Sequence, residues 1–223
     1  MKQLKFTREI ILWLIMLIPV AYLTLSWEAL PELVPVHFNL KGEADGWAGK
    51  STLIWITLFA TLGLYFLMLV IPRIDPKRKL DYMGDKYDQL RTLLVFFMSA
   101  LVMFIIYHAQ NQGTPANFNF LILLIGAMIA AFGNYFQAIK PNYFVGIRTP
   151  WTLESETVWR KTHRLGGRIW LAGGLLIMVL AFTTLPGIKE VLLLIIFATI
   201  ALIPVVYSFL ESRNEQRQNT AHS

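Results

Sequence analysis

Six apolar runs limit what this chain can fold into. They lie at roughly 10–27, 53–71, 92–108, 119–139, 169–185 and 191–210. Each approaches the ~20 residues that a helix rising ~1.5 Å per residue needs to cross ~30 Å of hydrocarbon. Of the 223 residues 56% are hydrophobic and only 15% charged, with a mean hydropathy of +0.53. A soluble domain of this length carries about a quarter charged residues. The pattern predicts an all-α, polytopic integral membrane protein with six transmembrane helices. "MKQLKFTRE" resembles the basic head of a secretory leader. The run behind it is full length and lacks a small-residue cleavage site, so the first span is expected to stay as an anchor.

Charge placement sets the orientation. Of the 20 lysines and arginines, 17 fall on alternate flanks of the runs and three on the others. The positive-inside rule then puts both termini and residues 140–168 in the cytoplasm, and residues 35–50 outside. The excess of +6 is an insertion signal rather than a nucleic-acid surface. Span interiors carry essentially no charge, because Glu9, Glu28, Arg91 and Glu190 stand at run ends within reach of the interface. That argues against a proton-coupled transporter or pump. With no cysteine, disulfides, thiolate metal sites and thiol nucleophiles are excluded.

The organisation divides into a two-span unit at 1–72 and a four-span unit at 73–223. Pro19 and Pro204 are expected to kink their helices. Gly126, Gly133, Gly173 and Gly174 are expected to let helices approach closely. Between the second and third spans, Leu80, Met83, Tyr87 and Leu90 recur at helical spacing and predict a helical lead-in over 76–91, continued by Leu94. Arg73, Lys77, Arg78 and Lys79 before it follow the insertion rule and suit anionic lipid headgroups.

In the second cytoplasmic loop, Ser155 predicts a cap for a short amphipathic helix running from Glu156 to about Leu165 and ended by Gly166 and Gly167. Glu154 and Glu156 at its start, and Arg160, Lys161 and Arg164 at its end, suit the helix dipole. Trp159 and Trp151 are expected in the headgroup zone. Asn134 and Gln137, near the inner end of the fourth span, are expected to bond to Asn142 or Arg148, since unpaired polar groups in lipid are costly.

The outer loop, "PVHFNLKGEADGWAGK", is the least ordinary stretch. Val34, Val36, Phe38 and Leu40 alternate with Pro35, His37, Asn39 and Lys41, which predicts a short strand with one apolar face. Asp45-Gly46 reads as a turn, Trp47 as an interface anchor, and Ser51 as a cap for the second span. His37, Glu43 and Asp45, with His108 at the outer end of the third span, are candidate divalent-metal ligands. No fixed-spacing ligand motif such as HExxH accompanies them, and hydrogen bonding within the loop is the alternative role. His163 reads as a helix-surface histidine and His222 as part of a frayed tail. No GxSxG elbow, SxxK or P-loop is present, so nothing demands catalysis.

Two stretches together carry a resemblance. "PVHFNLKGEADGWAGK" is similar to the outer-loop motif of a small bacterial membrane domain of unknown function. "GNYFQAIKPNYFVGIRTPWTLESETVWRKTHRLGGRIW", residues 133–170, resembles the core motif of the SdpI-type immunity protein family. The matching positions are Pro35, His37, Asn39, Gly42, Asp45, Gly46 and Lys50 in the first. In the second they are Asn134, Asn142, Gly146, Arg148, Thr149, Pro150, Trp151, Trp159, Thr162, His163 and Gly167. The resemblance implies a multi-pass protein of the bacterial plasma membrane that protects its host from a secreted, membrane-active toxin peptide. It further implies capture of a cytosolic transcriptional repressor, and no cofactor.

On that basis the toxin contacts are expected at His37, Asn39, Glu43, Asp45, Trp47 and Lys50. The cytosolic partner is expected at Arg148, Trp151, Trp159 and Arg164, within the wider motif of Asn134, Asn142, Gly146, Thr149, Pro150 and His163. Two other readings compete. One is a metal-assisted membrane hydrolase using His37, Glu43, Asp45 and His108 to polarise water. The other is a lipid or peptide exporter, for which neither ion coupling nor a nucleotide site is in view.

Overall fold

The computed structural model describes residues 2–39, 43–75, 83–111, 118–185 and 187–221. Its elements are α1 (Lys2–Ser26), β1 (Leu33–Phe38), β2 (Ala44–Gly49), α2 (Thr52–Leu58), α3 (Leu64–Ile74), α4 (Asp85–Gln110), α5 (Phe118–Phe136), α6 (Pro150–Glu154), α7 (Glu156–Ala181) and α8 (Ile188–Ala221). A π-helical turn at Phe59–Gly63 joins α2 to α3, so that Thr52–Ile74 runs as one 23-residue helix. Among the described residues six helices are long and apolar enough to cross a membrane, as expected from the six runs. The chain is a multi-pass membrane protein. Of the expected helical lead-in over 76–91, residues 76–82 lie outside the described residues, as does His222; the rest is helical from Asp85, where α4 begins, with Met83, Tyr87 and Leu90 buried.

The chain forms two compact units. One holds residues 1–70 and 89–121, the other 71–88 and 122–223. The first unit takes in residues 92–108 of the third apolar run. Its core gathers Leu23, Leu30, Val34, Leu53, Val102, Ile106 and Ala109. A second cluster joins Leu12 and Met16 to Tyr65 and Val95. Beside it, Arg91 donates to Glu9 and Tyr65 donates to Glu9 at 2.7 Å, with the Arg91 cation 5.3 Å from the centre of the Tyr65 ring. Arg91 is 4% exposed. Glu9 and Arg91, both near the ends of their runs, thus meet each other. In a low-dielectric setting an isolated charge is costly, and pairing offsets that cost.

In the second unit the small residues serve close approach, as expected. A Cβ on Gly126 would stand 2.9 Å from the Gly174 carbonyl oxygen and from Met178. One on Gly167 would stand 2.6 Å from the Gly133 carbonyl oxygen. Pro19 and Pro204 lie inside α1 and α8. Gly166 and Gly167 correct the reading of the second loop: they do not end a helix at Leu165. α7 runs through them to Ala181, and the glycines are there because neighbouring backbone and Ile147 leave no room for a side chain.

Candidate functional site

The loop between the first two spans folds as an antiparallel hairpin, with Val34 opposite Ala48, Pro35 opposite Trp47, His37 opposite Gly46 and Phe38 opposite Ala44. The strand expected here forms, but its alternation holds only in part: Val34 is fully buried, His37 is exposed and Phe38 meets the Phe104 and His108 rings at 6.4 and 6.3 Å, whereas Pro35 is buried beside Val34. Asp45-Gly46 is not the turn. Both residues lie inside β2. A Cβ on Gly46 would come within 2.8 Å of the His37 Cβ. The glycine answers that close approach at an irregular register, which shifts on either side of His37.

Gly46 lets His37 sit beside Asp45, with Nδ1 and Oδ1 2.5 Å apart. A carboxylate accepts only, so Nδ1 carries the hydrogen, and Nε2 has no partner among the described residues. Both side chains are exposed, 72% and 45%. At the hairpin end Asn39 Nδ2 donates to Glu43 Oε2 at 2.9 Å, and the Glu43 N–H donates back to Asn39 Oδ1 at 3.1 Å. At the hairpin base Lys50 pairs with Glu32 at 3.0 Å and lies 5.2 Å from the Trp27 ring centre. Trp47 is exposed. Gly42 lies outside the described residues.

These polar groups therefore form two neighbouring pairs, His37–Asp45 and Asn39–Glu43, rather than one ligand cluster. His108 stands apart from both, 6% exposed and packed at 4.3 Å against the Phe104 ring. Among the described residues no three histidine or acidic side chains gather around a point that could hold a metal ion.

The second constellation lies between α5 and α7. Asn142 uses its whole amide: Oδ1 accepts from the N–H groups of Phe144 and Val145 at 2.9 and 2.7 Å, and Nδ2 donates to the carbonyls of Lys140 and Val145 at 2.9 and 3.0 Å. The chain then passes Gly146, whose φ of 116° only glycine adopts without strain. The Ile147 N–H donates to His163 Nε2 at 2.9 Å, and His163 Nδ1 donates to the Trp159 carbonyl at 2.9 Å. That pattern fixes a neutral imidazole in the Nδ1–H tautomer. His163 stacks on Trp159 at 4.0 Å, and Trp159 Nε1 donates to the Ile139 carbonyl at 2.9 Å. His163 and Trp159 are 2% and 1% exposed. The expected surface histidine and headgroup tryptophan are in fact buried and hold this loop in place, because their ring nitrogens complete bonds to loop backbone that burial keeps from water.

Thr149 and Thr152 form a capping box around Pro150, and Thr149 Oγ1 lies 3.0 Å from Ser208 Oγ. Ser155 caps α7 as expected, accepting from the Val158 N–H at 3.2 Å, and donates to Glu215 at 3.0 Å. Trp151 packs on Phe209 at 5.1 Å. Arg148 donates to the Tyr143 carbonyl. Asn134 and Gln137 are exposed and bond to neither Asn142 nor Arg148. That expectation fails because Asn142 spends its capacity on its own turn. Arg148, Arg160 and Arg164 remain at the surface. Of the three, Arg160 lines a cleft of about 240 Å³, together with Gln137, Lys140 and Glu156 among others. Sequence reasoning missed Thr152, although Thr-Pro followed by a hydroxyl at the third helical position is a start signal. It also missed Ser208, which nothing in its own neighbourhood marks.

The SdpI/YfhL protein family model matches residues 138–208, and the model of a domain of unknown function (DUF1648) matches residues 14–69. The first segment holds the Asn142–His163 network; the second holds the hairpin. The chain is 28% identical over 194 residues to the Immunity protein SdpI of Bacillus subtilis (strain 168), covering 85% of this chain and 88% of that one. No solved structure matches it. With both segments matched and the likeness running through nearly the whole chain, this protein is similar to the SdpI/YfhL family from its first span to its last.

Proposed function

We propose that this chain is an immunity protein of the bacterial plasma membrane that protects its cell from a secreted, membrane-active toxin peptide. The observation that carries the reading is the 28% identity over 85% of the chain to a protein named for immunity. The hairpin suits the outward task. One face is buried on the spans, while His37, Asp45 and the exposed Trp47 stand on the other, stiffened by two side-chain pairs. An amphipathic peptide at the bilayer surface would meet hydrogen-bonding groups and an aromatic ring on a surface that needs little ordering.

In this reading both termini lie in the cytoplasm, and the exposed Arg148, Arg160 and Arg164 face a cytosolic partner, a transcriptional repressor. The buried Trp159 and His163 position that surface rather than touch the partner. Signalling requires the peptide to bind one conformation more tightly than the other. The test is deletion of the gene and challenge with secreted peptides of the same strain and its neighbours. Deletion sensitises the cell and the wild-type gene restores protection, whereas His37→Ala and Asp45→Ala, expressed normally, do not. Full protection by both variants would refute the hairpin contact.

A further inference from the structure

Away from the hairpin's polar pairs, a groove of about 360 Å³ opens between the end of α1 and the start of α2. Leu23, Trp27, Ile54 and Leu58 give it apolar walls. Three other lining residues do not suit a lipid tail. Thr57 is 2% exposed and its hydroxyl has no hydrogen-bond partner among the described residues. Its carbonyl is taken by the Thr61 hydroxyl at 2.6 Å, where the helix turns π-helical, a local form that recurs at functional sites. Thr24 lies at the groove's open side and is exposed. Glu28, also exposed, has no ion-pair or hydrogen-bond partner among the described residues, while the nearby Lys50 is held by Glu32.

We propose that this groove is a binding site for an apolar peptide segment carrying one cationic group, a lysine side chain or an amino terminus. An acyl chain fills apolar space but offers Thr57 nothing to bond to, and an orphan hydroxyl in hydrocarbon is costly. A peptide backbone supplies both donor and acceptor. The lone carboxylate of Glu28 complements a cation, which a lipid tail lacks. This inference rests on the immunity reading for the identity of the peptide, and adds a membrane-level site to the hairpin.

The experiment uses the full chain in phosphatidylglycerol vesicles, with a photo-crosslinking residue replacing Ile54. The probe is a short synthetic leucine-alanine peptide with one amino-terminal lysine, compared with the same peptide acetylated and carrying norleucine instead. The lysine peptide is expected to cross-link. Thr24→Trp, which fills the groove from an exposed position, and Glu28→Gln each lower the yield on the order of tenfold, the scale of a charge-assisted bond. Equal yields from both peptides, or from both variants and wild type, overturn the proposal. So does quenching of Trp27 fluorescence by brominated acyl chains that the peptide does not relieve, which would assign the groove to lipid. In the deletion strain, protection by wild type but not by Thr24→Trp supports the groove. Equal protection by both overturns it while leaving the immunity reading intact. If the wild type itself fails to protect, the immunity reading falls and cross-linking alone judges the groove.

Discussion

The backbone N–H of Ile147 is received by His163, sixteen residues further on, at 2.9 Å. Because the other ring nitrogen donates to the Trp159 carbonyl, one neutral imidazole ties the loop after α5 to the first turns of α7. Gly146 passes so close to this ring that a Cβ there would collide with it. The exposed Arg148 follows Ile147 directly in this loop.

His163→Leu keeps bulk but leaves a buried backbone donor without an acceptor. Its expected cost is about 1–3 kcal/mol, read as a lower melting temperature of the purified protein. Gly146→Ala acts on the same lock through strain and collision. The two changes together are expected to cost less than the sum of each alone, as contacts in one network do.

Gly133 faces the backbone of Gly167 and Leu171. Gly133→Val has no room unless α5 and α7 separate, so a loss of about 1–3 kcal/mol is expected, again by melting. Gly84→Ala is a contrasting control. Its Cβ would meet nothing within 4 Å, and only the φ of 50° resists the change. A melting temperature for Gly133→Val equal to wild type would contradict the close packing.

Arg91→Met leaves the Glu9 carboxylate with only the Tyr65 hydroxyl as a partner among the described residues. Arg91→Met combined with Glu9→Gln removes both charges. The double variant is expected to be the more stable by about 1–3 kcal/mol, because breaking a buried pair from one side costs more than removing it. A double variant less stable than Arg91→Met would show that the carboxylate is stabilised without its arginine.

Orientation is open to direct test because the chain has no cysteine of its own. Trp47→Cys and Glu154→Cys each place a thiol at an exposed position. In intact cells a membrane-impermeant maleimide is expected to label the first and not the second, and to label both after lysis. The reverse pattern would invert the topology and remove the hairpin from the outer surface.

Some of this was legible residue by residue. Six spans follow from run length, since each helix closes its own backbone bonds and needs only apolar side chains around it. Ser155 as a cap and the presence of a strand around Val34 were readable for the same local reason. Gly46 and the Gly166-Gly167 pair were misread because glycine permits a turn, a helix end or a tight contact alike, and only the neighbour reveals which.

What the chain alone determined is therefore its class: membrane helices with a polar loop carrying a short strand between the first two and a basic loop before the fifth. What only tertiary structure decided is which polar groups meet. His37 with Asp45, Ile147 with His163, and Glu9 with Arg91 and Tyr65 are pairings across eight, sixteen, 82 and 56 residues. Hydropathy and periodicity sum over neighbours in sequence, whereas a hydrogen bond depends on a few tenths of an ångström between groups that packing alone brings together.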